Sequence, residues 1–287
     1  MVVQTQTGIS KAAISERTYQ NLCNLIFKYS RISLGTGREG LLASRLGTRL
    51  GKLGLETWES YLQILNDDKN MEEIDILIDL VSTNHTQFFR EPSHFQRLND
   101  GLLAQVLQDC PQARQELRCW SAATSSGEEA YSLAIVLSEF VSKHSGLANW
   151  NIEASDISRK ALQRAEAGIY PIKALHLPRP ELLARYFQRG SGPYDGQCKI
   201  KSQIRDKVSL KRVNLFQDFY PIEQPLHLVF CRNVLIYFQP ESQGQLVARL
   251  FGMLAPGGLL VIGHSDSLVH LQHGFLPLGG GIYRRSA

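Results

Sequence analysis

From Ile14 to about Val81 the apolar residues return at helical spacing: Tyr19, Leu22, Cys23 and Ile26, then Leu42, Leu46, Leu50 and Leu53, then Tyr61, Leu62 and Leu65, then Ile74, Leu77, Ile78 and Val81. Such spacing gathers each run on one face, so the segment predicts a small bundle of about four helices. Ser15 and Thr57 stand where N-caps belong, and Gly35, Gly37 and Gly54 punctuate the joints. Beyond the segment Thr83 to Leu98 the pattern changes to short apolar strands, near Leu117–Ala122, Ile152–Ser155, Val208–Val213, Leu226–Cys231, Leu259–Gly263 and Gly281–Arg284. Amphipathic helices such as Glu128–Ser142, Ser158–Ala167 and Pro240–Leu254 alternate with them, which predicts a mostly parallel sheet covered on both faces. From about Pro178 to Ile204 the rhythm is interrupted. The turn residues of RGSGPYDGQ there predict a small insertion carrying a hairpin.

Length sharpens this picture. A chain of 287 residues, 43% of them hydrophobic, can bury two cores, so a helical domain over 1–82 and an α/β domain over 83–287, with its insertion at about 178–204, are expected. Net charge is only +4 and no basic tail exists, so charge does not point to nucleic acid as a partner. The five cysteines are scattered and never form a C-x-x-C pair, which speaks against a disulfide framework and a zinc site and for reduced thiols in the cytoplasm. No run reaches the roughly 18 apolar residues of a membrane span. The opening MVVQTQTGISKAAIS lacks the cationic-then-apolar order of a signal peptide, so no membrane insertion is expected.

Candidate chemistry collects at strand ends. The first strand runs into Ala123-Thr124-Ser125-Ser126-Gly127-Glu128-Glu129 and a helix, at the place where open α/β sheets bind nucleotides. With one glycine and two carboxylates, the turn is a poor pyrophosphate site. The acids either complement the helix dipole or suit a cation such as the sulfonium and ammonium of S-adenosylmethionine. Asp156 ends the second strand, as a ribose acceptor or as the residue leading into the helix at Ser158. In FCRNVLIYF (230–238), Asn233 offers both donor and acceptor, and Tyr237 is either a substrate-facing hydroxyl or a packing residue.

TNHTQFFREPSHF (83–95), WSAATSSGEEAYSLA (120–134), ASDISRKALQRAEAGIY (154–170), RYFQRGSGP (185–193), VNLF (213–216), FCRNVLIYF (230–238) and GHSDSL (263–268) together resemble, in order and spacing, the CheR chemoreceptor methyltransferases. The resemblance implies an N-terminal helical bundle plus a Rossmann-like class I methyltransferase domain with a seven-stranded, mostly parallel sheet and a small β insertion. It implies S-adenosylmethionine as methyl donor, held by Asn84, Thr86, Arg90, Glu129, Asp156, Asn214, Leu215, Arg232 and Asn233. Arg90 and Tyr237 fall at positions associated with methyl transfer. The acceptor implied is a glutamate on the cytoplasmic helical bundle of a chemoreceptor. Where the family often has GHSE, this chain has a shorter acid, Asp266.

A glutamate is ionised at neutral pH, so its attack on a sulfonium methyl needs neither a general base nor a metal. Placement is what the enzyme must supply. Arg38, Arg45, Arg49 and Lys52 fall on one face of the second helix, either as a solvated surface or, as the resemblance implies, as a basic docking face for an acidic receptor bundle. The loop Arg189-Gly190-Ser191-Gly192-Pro193 resembles that of family members whose β insertion binds a receptor C-terminal peptide by strand addition. Two other readings stay open on the residues: a methyltransferase with a different acceptor, and a cofactor-binding module without catalysis.

Overall fold

The computed structural model describes residues 13–286 apart from 68 and 145, so most of the N-terminal segment read for a leader lies outside the described residues. The chain divides into two compact units, 1–83 and 84–287.

The first unit contains α1 (Glu16–Ser30), α2 (Glu39–Lys52), α3 (Trp58–Leu65) and α4 (Met71–Val81). The two expected caps are in place: Ser15 Oγ accepts from the Thr18 N–H and Thr57 Oγ1 from the Ser60 N–H, each at 3.2 Å. Leu22, Ile26, Leu46, Leu50, Tyr61 and Leu77 are fully buried, one apolar stripe from each helix. A polar lock is set into this core. Arg49 Nε donates to Glu73 at 2.9 Å, a second guanidinium nitrogen reaches the other carboxylate oxygen, and the Tyr61 hydroxyl donates to Glu73 at 2.9 Å.

The basic face of α2 is therefore divided. Arg49 is paired with Glu73 in the first turn of α4, and Arg45 donates to the Val81 carbonyl and to Thr83 Oγ1 at its end, so the two cations hold α4 at both ends, whereas Arg38 and Lys52 are exposed. Because Arg49→Ala would leave Glu73 buried without its cation, it should cost about 3–5 kcal/mol. Thermal melting checks this; a loss below about 1 kcal/mol would make the pair a surface one.

The second unit is built on β1 (Leu117–Ala122), β2 (Trp150–Asp156), β3 (Ile169–Pro171), β4 (Phe187–Arg189), β5 (Gln197–Ile200), β6 (Val208–Arg212), β7 (Leu226–Phe230), β8 (Leu254–Val261), β9 (Phe275–Gly279) and β10 (Ile282–Arg285). Its helices are α5 (Pro92–Arg97), α6 (Leu103–Asp109), α7 (Glu128–Val141), α8 (Arg159–Ala167), α9 (Glu181–Tyr186), α10 (Ser202–Arg205) and α11 (Pro240–Met253). The large sheet runs β6-β2-β1-β7-β8-β10-β9, the first five parallel and β10 antiparallel to both its neighbours. As a central strand β1 is buried along most of its length, and α7, buried almost all round, packs beside it in the core.

Two elements escaped the sequence pattern. β9 contains Pro277, which removes a ladder donor and reads as a break; it lies at the sheet edge, where proline is tolerated. The helical stretch from Pro92 to Asp109 is interrupted by a π turn, Leu98–Leu102, where Gly101 at φ 135° breaks the helical phase.

The small antiparallel sheet has the order β3-β5-β4. It takes its first strand from Ile169–Pro171, upstream of the expected 178–204, because three residues are too short to show alternation and their pairing to Lys199, Cys198 and Gln197 is long-range. All five cysteines are free thiols, and among the described residues no helix is long and apolar enough to cross a membrane.

Candidate functional site

Two polar clusters occupy the carboxyl ends of β1, β2, β7 and β8. The first is organised by the turn after β1, where Ala123, Ser125 and Gly127 all have positive φ, at 64°, 54° and 95°. Gly127 is also required by packing, since a Cβ there would lie 2.8 Å from the Ala165 Cβ and 3.0 Å from the Tyr170 hydroxyl. The curled backbone aims the Ser125 N–H at Asp156 Oδ2, 2.8 Å away, while Asp156 Oδ1 accepts from the Ser158 N–H at 2.9 Å. Asn84 joins them: its carbonyl accepts from Ser125 Oγ at 3.0 Å and its amide lies 3.4 Å from Ser158 Oγ. The capping of α8 belongs to Ser158, whose Oγ accepts from the Ala161 N–H at 3.1 Å. Thr86 is half-buried further along the Asn84 segment. At the end of β6, Asn214 Oδ1 accepts from the Phe216 N–H at 3.0 Å, and Leu215 is buried.

The second cluster centres on Arg232, whose side chain is only 1% exposed. Its guanidinium donates to Glu91 at 3.0 Å, to Glu129 at 3.3 Å and to the Arg90 carbonyl, and lies over the rings of Phe95 and Phe230. Glu91 also accepts from Asn233 Nδ2 at 3.0 Å and from the His264 N–H at 3.1 Å. Glu129 takes its other hydrogen bond from Ser121 Oγ at 2.8 Å. Asp266 completes the knot by accepting from the backbone N–H groups of Gly263, Asn233 and Ile236.

Burial pushes the Glu91 carboxyl up, but hydrogen bonds from Asn233 and Arg232 more than reverse this and bring it down to about 2. For Glu129, burial outweighs Arg232 and its pKa rises. Asp266 is likewise raised by burial despite its backbone donors. His94 is pulled down to about 4 by burial and by Arg232, so it is neutral near pH 7. With its Nε2 2.7 Å from the Gly280 carbonyl, that nitrogen carries the proton.

The sequence-derived residues thus separate by environment. Asn84 and Asp156 meet in the first cluster, and Glu129, Arg232, Asn233 and the Arg90 carbonyl meet in the second. Arg90 turns its own guanidinium to the His85 carbonyl, 3.0 Å away, and no hydrogen bond joins it to Tyr237 among the described residues. Tyr237 is half-buried in a 3₁₀ turn, Leu235–Tyr237, in the loop that follows β7. Glu91 and His94 escaped sequence reasoning, and Asp266 stood out only as the shorter acid of GHSD. One signal was available for Glu91: it precedes Pro92, which bars the right-handed helical region, and it sits at φ 54°. Glu91, His94 and His264 bring possible ligand atoms within 4.8 Å of one another. Arg232 already holds that Glu91 oxygen, however, and would repel a cation there.

The donor set fits S-adenosylmethionine. Asp156 at the end of β2 suits a ribose diol, and Asn233 has its amide nitrogen on Glu91 and its Oδ1 left to accept from an ammonium. The Thr124 hydroxyl in the β1 turn is buried without a hydrogen-bond partner. Fold and site define an S-adenosylmethionine-dependent methyltransferase.

Residues 84–282 match the family described as CheR methyltransferase, SAM binding domain, and residues 17–82 match CheR methyltransferase, all-alpha domain. The chain is 35% identical to the chemotaxis protein methyltransferase of Salmonella typhimurium, covering 96% of this chain and 92% of that protein. It is 34% identical to the Escherichia coli protein of the same name, over 96% of this chain and 93% of that one. Among solved structures, magnesium protoporphyrin IX methyltransferase from Synechocystis PCC 6803 covers 75% of this chain and 68% of its own at 18% identity, with a TM-score of 0.31, too low to add to the argument. The chain belongs to the CheR methyltransferase family.

Proposed function

We propose that the protein esterifies glutamate side chains on the cytoplasmic helical bundle of chemoreceptors, acting in the cytoplasm as a protein-glutamate O-methyltransferase. The observation that carries the reading is the match of both units, helical and α/β, to one chemotaxis methyltransferase family along nearly the whole chain. The bound donor supplies an electrophilic sulfonium methyl. Everything else falls to the protein: Asp156, Asn84, Thr86, Asn214 and Leu215 take the nucleoside end, and Asn233, Glu129 and the loop held by Arg232 take the amino-acid end. Arg90 and Tyr237 orient the acceptor carboxylate, one through charge and one through its hydroxyl, while leaving an oxygen lone pair free.

Asp156 is the most sensitive of the cofactor residues. Asp156→Asn replaces one acceptor oxygen with a donor that faces a backbone N–H. Hydrogen bonds to charged groups contribute about 1.5–3 kcal/mol, so affinity for S-adenosylhomocysteine should fall on the order of tenfold to a hundredfold. Calorimetric titration measures it, and unchanged affinity would leave Asp156 a purely structural acid.

For docking, Arg38 and Lys52 are the exposed cations of α2, whereas Arg45 and Arg49 are engaged within their own unit. Fourteen residues separate Arg38 from Lys52, which spans roughly 20 Å at 1.5 Å per residue, long enough to meet two acidic patches on a helical bundle. A receptor C-terminal peptide adds to the small sheet at β4: β3 carries Pro171, which has no N–H to offer, and β4 presents exposed Gln188 and Arg189.

The test is transfer of labelled methyl to receptor cytoplasmic fragments, with and without their C-terminal peptides. Base-labile label on glutamate is the expected result. Cofactor binding without transfer to any receptor would overturn the acceptor assignment.

A further inference from the structure

Three of the most exposed large apolar side chains of the α/β unit lie on the loops that follow β6, β7 and β8: Phe219 (76% exposed), Ile236 (50%) and Val269 (90%). Their loops are cross-braced. The segment after β6 starts at the sheet edge yet is carried back across it, because Tyr220 packs on Trp120 of β1, ring centroids 5.2 Å apart, and Phe216 meets Phe238 edge-on at 4.8 Å. Arg249 of α11 then holds the Gln217 carbonyl at 2.7 Å. Gln243, also on α11, donates to the carbonyls of Leu235 and Phe238, each at 3.0 Å, and its Oε1 lies 2.8 Å from His270 Nε2. These bonds fix the turn bearing Ile236 and the segment bearing Val269 to one helix. Apolar side chains held in water on rigid loops mark an interaction surface more strongly than the same residues on mobile ones.

We infer that Phe219, Ile236 and Val269 form an apolar rim that grips the helix presenting the acceptor glutamate, by packing on apolar side chains one turn before and one turn after it. This deepens the proposed function and rests on it. Ile236 shares its three-residue turn with Tyr237, so an acceptor that brings a carboxylate to Tyr237 comes up beside Ile236. On a helix the neighbours at three and four residues from the glutamate lie on its own face, about 5–6 Å away. Those neighbours meet the exposed apolar side chains of the rim.

The test compares the full-length protein with its Phe219→Ser, Val269→Ser double variant, two positions exposed enough to leave the core untouched. A receptor cytoplasmic fragment serves as acceptor. The expected result is a KM for the fragment raised about tenfold, a hot-spot-sized effect, with kcat and affinity for S-adenosylhomocysteine within about twofold of wild type. The tenfold ratio persists at high salt, as an apolar contact requires. A fragment carrying Asp in place of the apolar residues flanking its glutamate should show the same loss with the wild-type enzyme. Unchanged KM in the double variant overturns the rim while leaving the acceptor assignment standing. A fall in cofactor affinity or kcat instead of KM overturns it as a docking surface. Failure of the wild-type enzyme to methylate any receptor fragment overturns the assignment and the rim together.

Discussion

Arg90→Ala is expected to lower kcat on the order of 10²-fold, the scale of losing a positioning group at a transfer centre, while the fold stays intact. The side chain is half-buried and hydrogen-bonds the His85 carbonyl; the Arg90 carbonyl that Arg232 holds is backbone and survives the substitution. Single-turnover transfer, calorimetry with S-adenosylhomocysteine and thermal melting separate three outcomes. Loss of turnover with modest loss of affinity places Arg90 at the acceptor carboxylate. Equal losses in both restrict it to the cofactor. Near-normal turnover in a folded variant removes it from the transfer site.

Arg232→Ala should do the reverse and damage the fold first. Its side chain is almost fully buried between two carboxylates, Glu91 and Glu129, and its removal leaves both without their cation. Such a loss costs about 3–5 kcal/mol, which for a unit of this size lowers Tm by roughly 10 °C. The pH dependence carries a second signature. Glu91 is held down to about 2, so its contribution to stability is present above the unfolded carboxylate range near 4.3 and is lost as pH falls toward 2. Glu129, pushed up, works in the opposite sense and offsets part of this. Without Arg232 the Glu91 carboxyl rises toward its unfolded value, so the part of the stability that wild type loses through Glu91 on acidification shrinks in the variant. Melting between pH 7 and pH 3 compares the two acid profiles; identical slopes would mean that Arg232 does not set the Glu91 proton affinity.

Much of the fold could be read from period alone, because long elements with one buried face leave a clear signature. The bundle helices and their caps at Ser15 and Thr57 are local features. So is the alternation that predicts the parallel strands. What escaped was either interrupted or short: the helices around Gly101, the edge strand with Pro277, and the three-residue β3 whose partners lie nearly thirty positions away. The site divides in the same way. Motif residues on strand ends could be named in advance, but Glu91 acts through Arg232 and Asn233, more than 140 positions along the chain. Nor does helical spacing distinguish a free cation from a paired one. Arg45 and Arg49 fall on the same face as Arg38 and Lys52, yet only contacts to Val81 and Glu73 reveal that they are occupied.

The large sheet has two open edges, and the chain guards them by different means. At β9, Pro277 withholds a backbone donor and exposed turns follow. At β6 the sequence Val208-Ser-Leu-Lys-Arg212 places two cations in the strand, with Lys211 tied at 3.0 Å to Glu153 of the neighbouring β2. A chain that gained an unbroken apolar β6 would keep its pocket and its chemistry but acquire a surface on which another copy can pair. Substitutions there would show first as insolubility during expression and only later, if at all, as lost methylation.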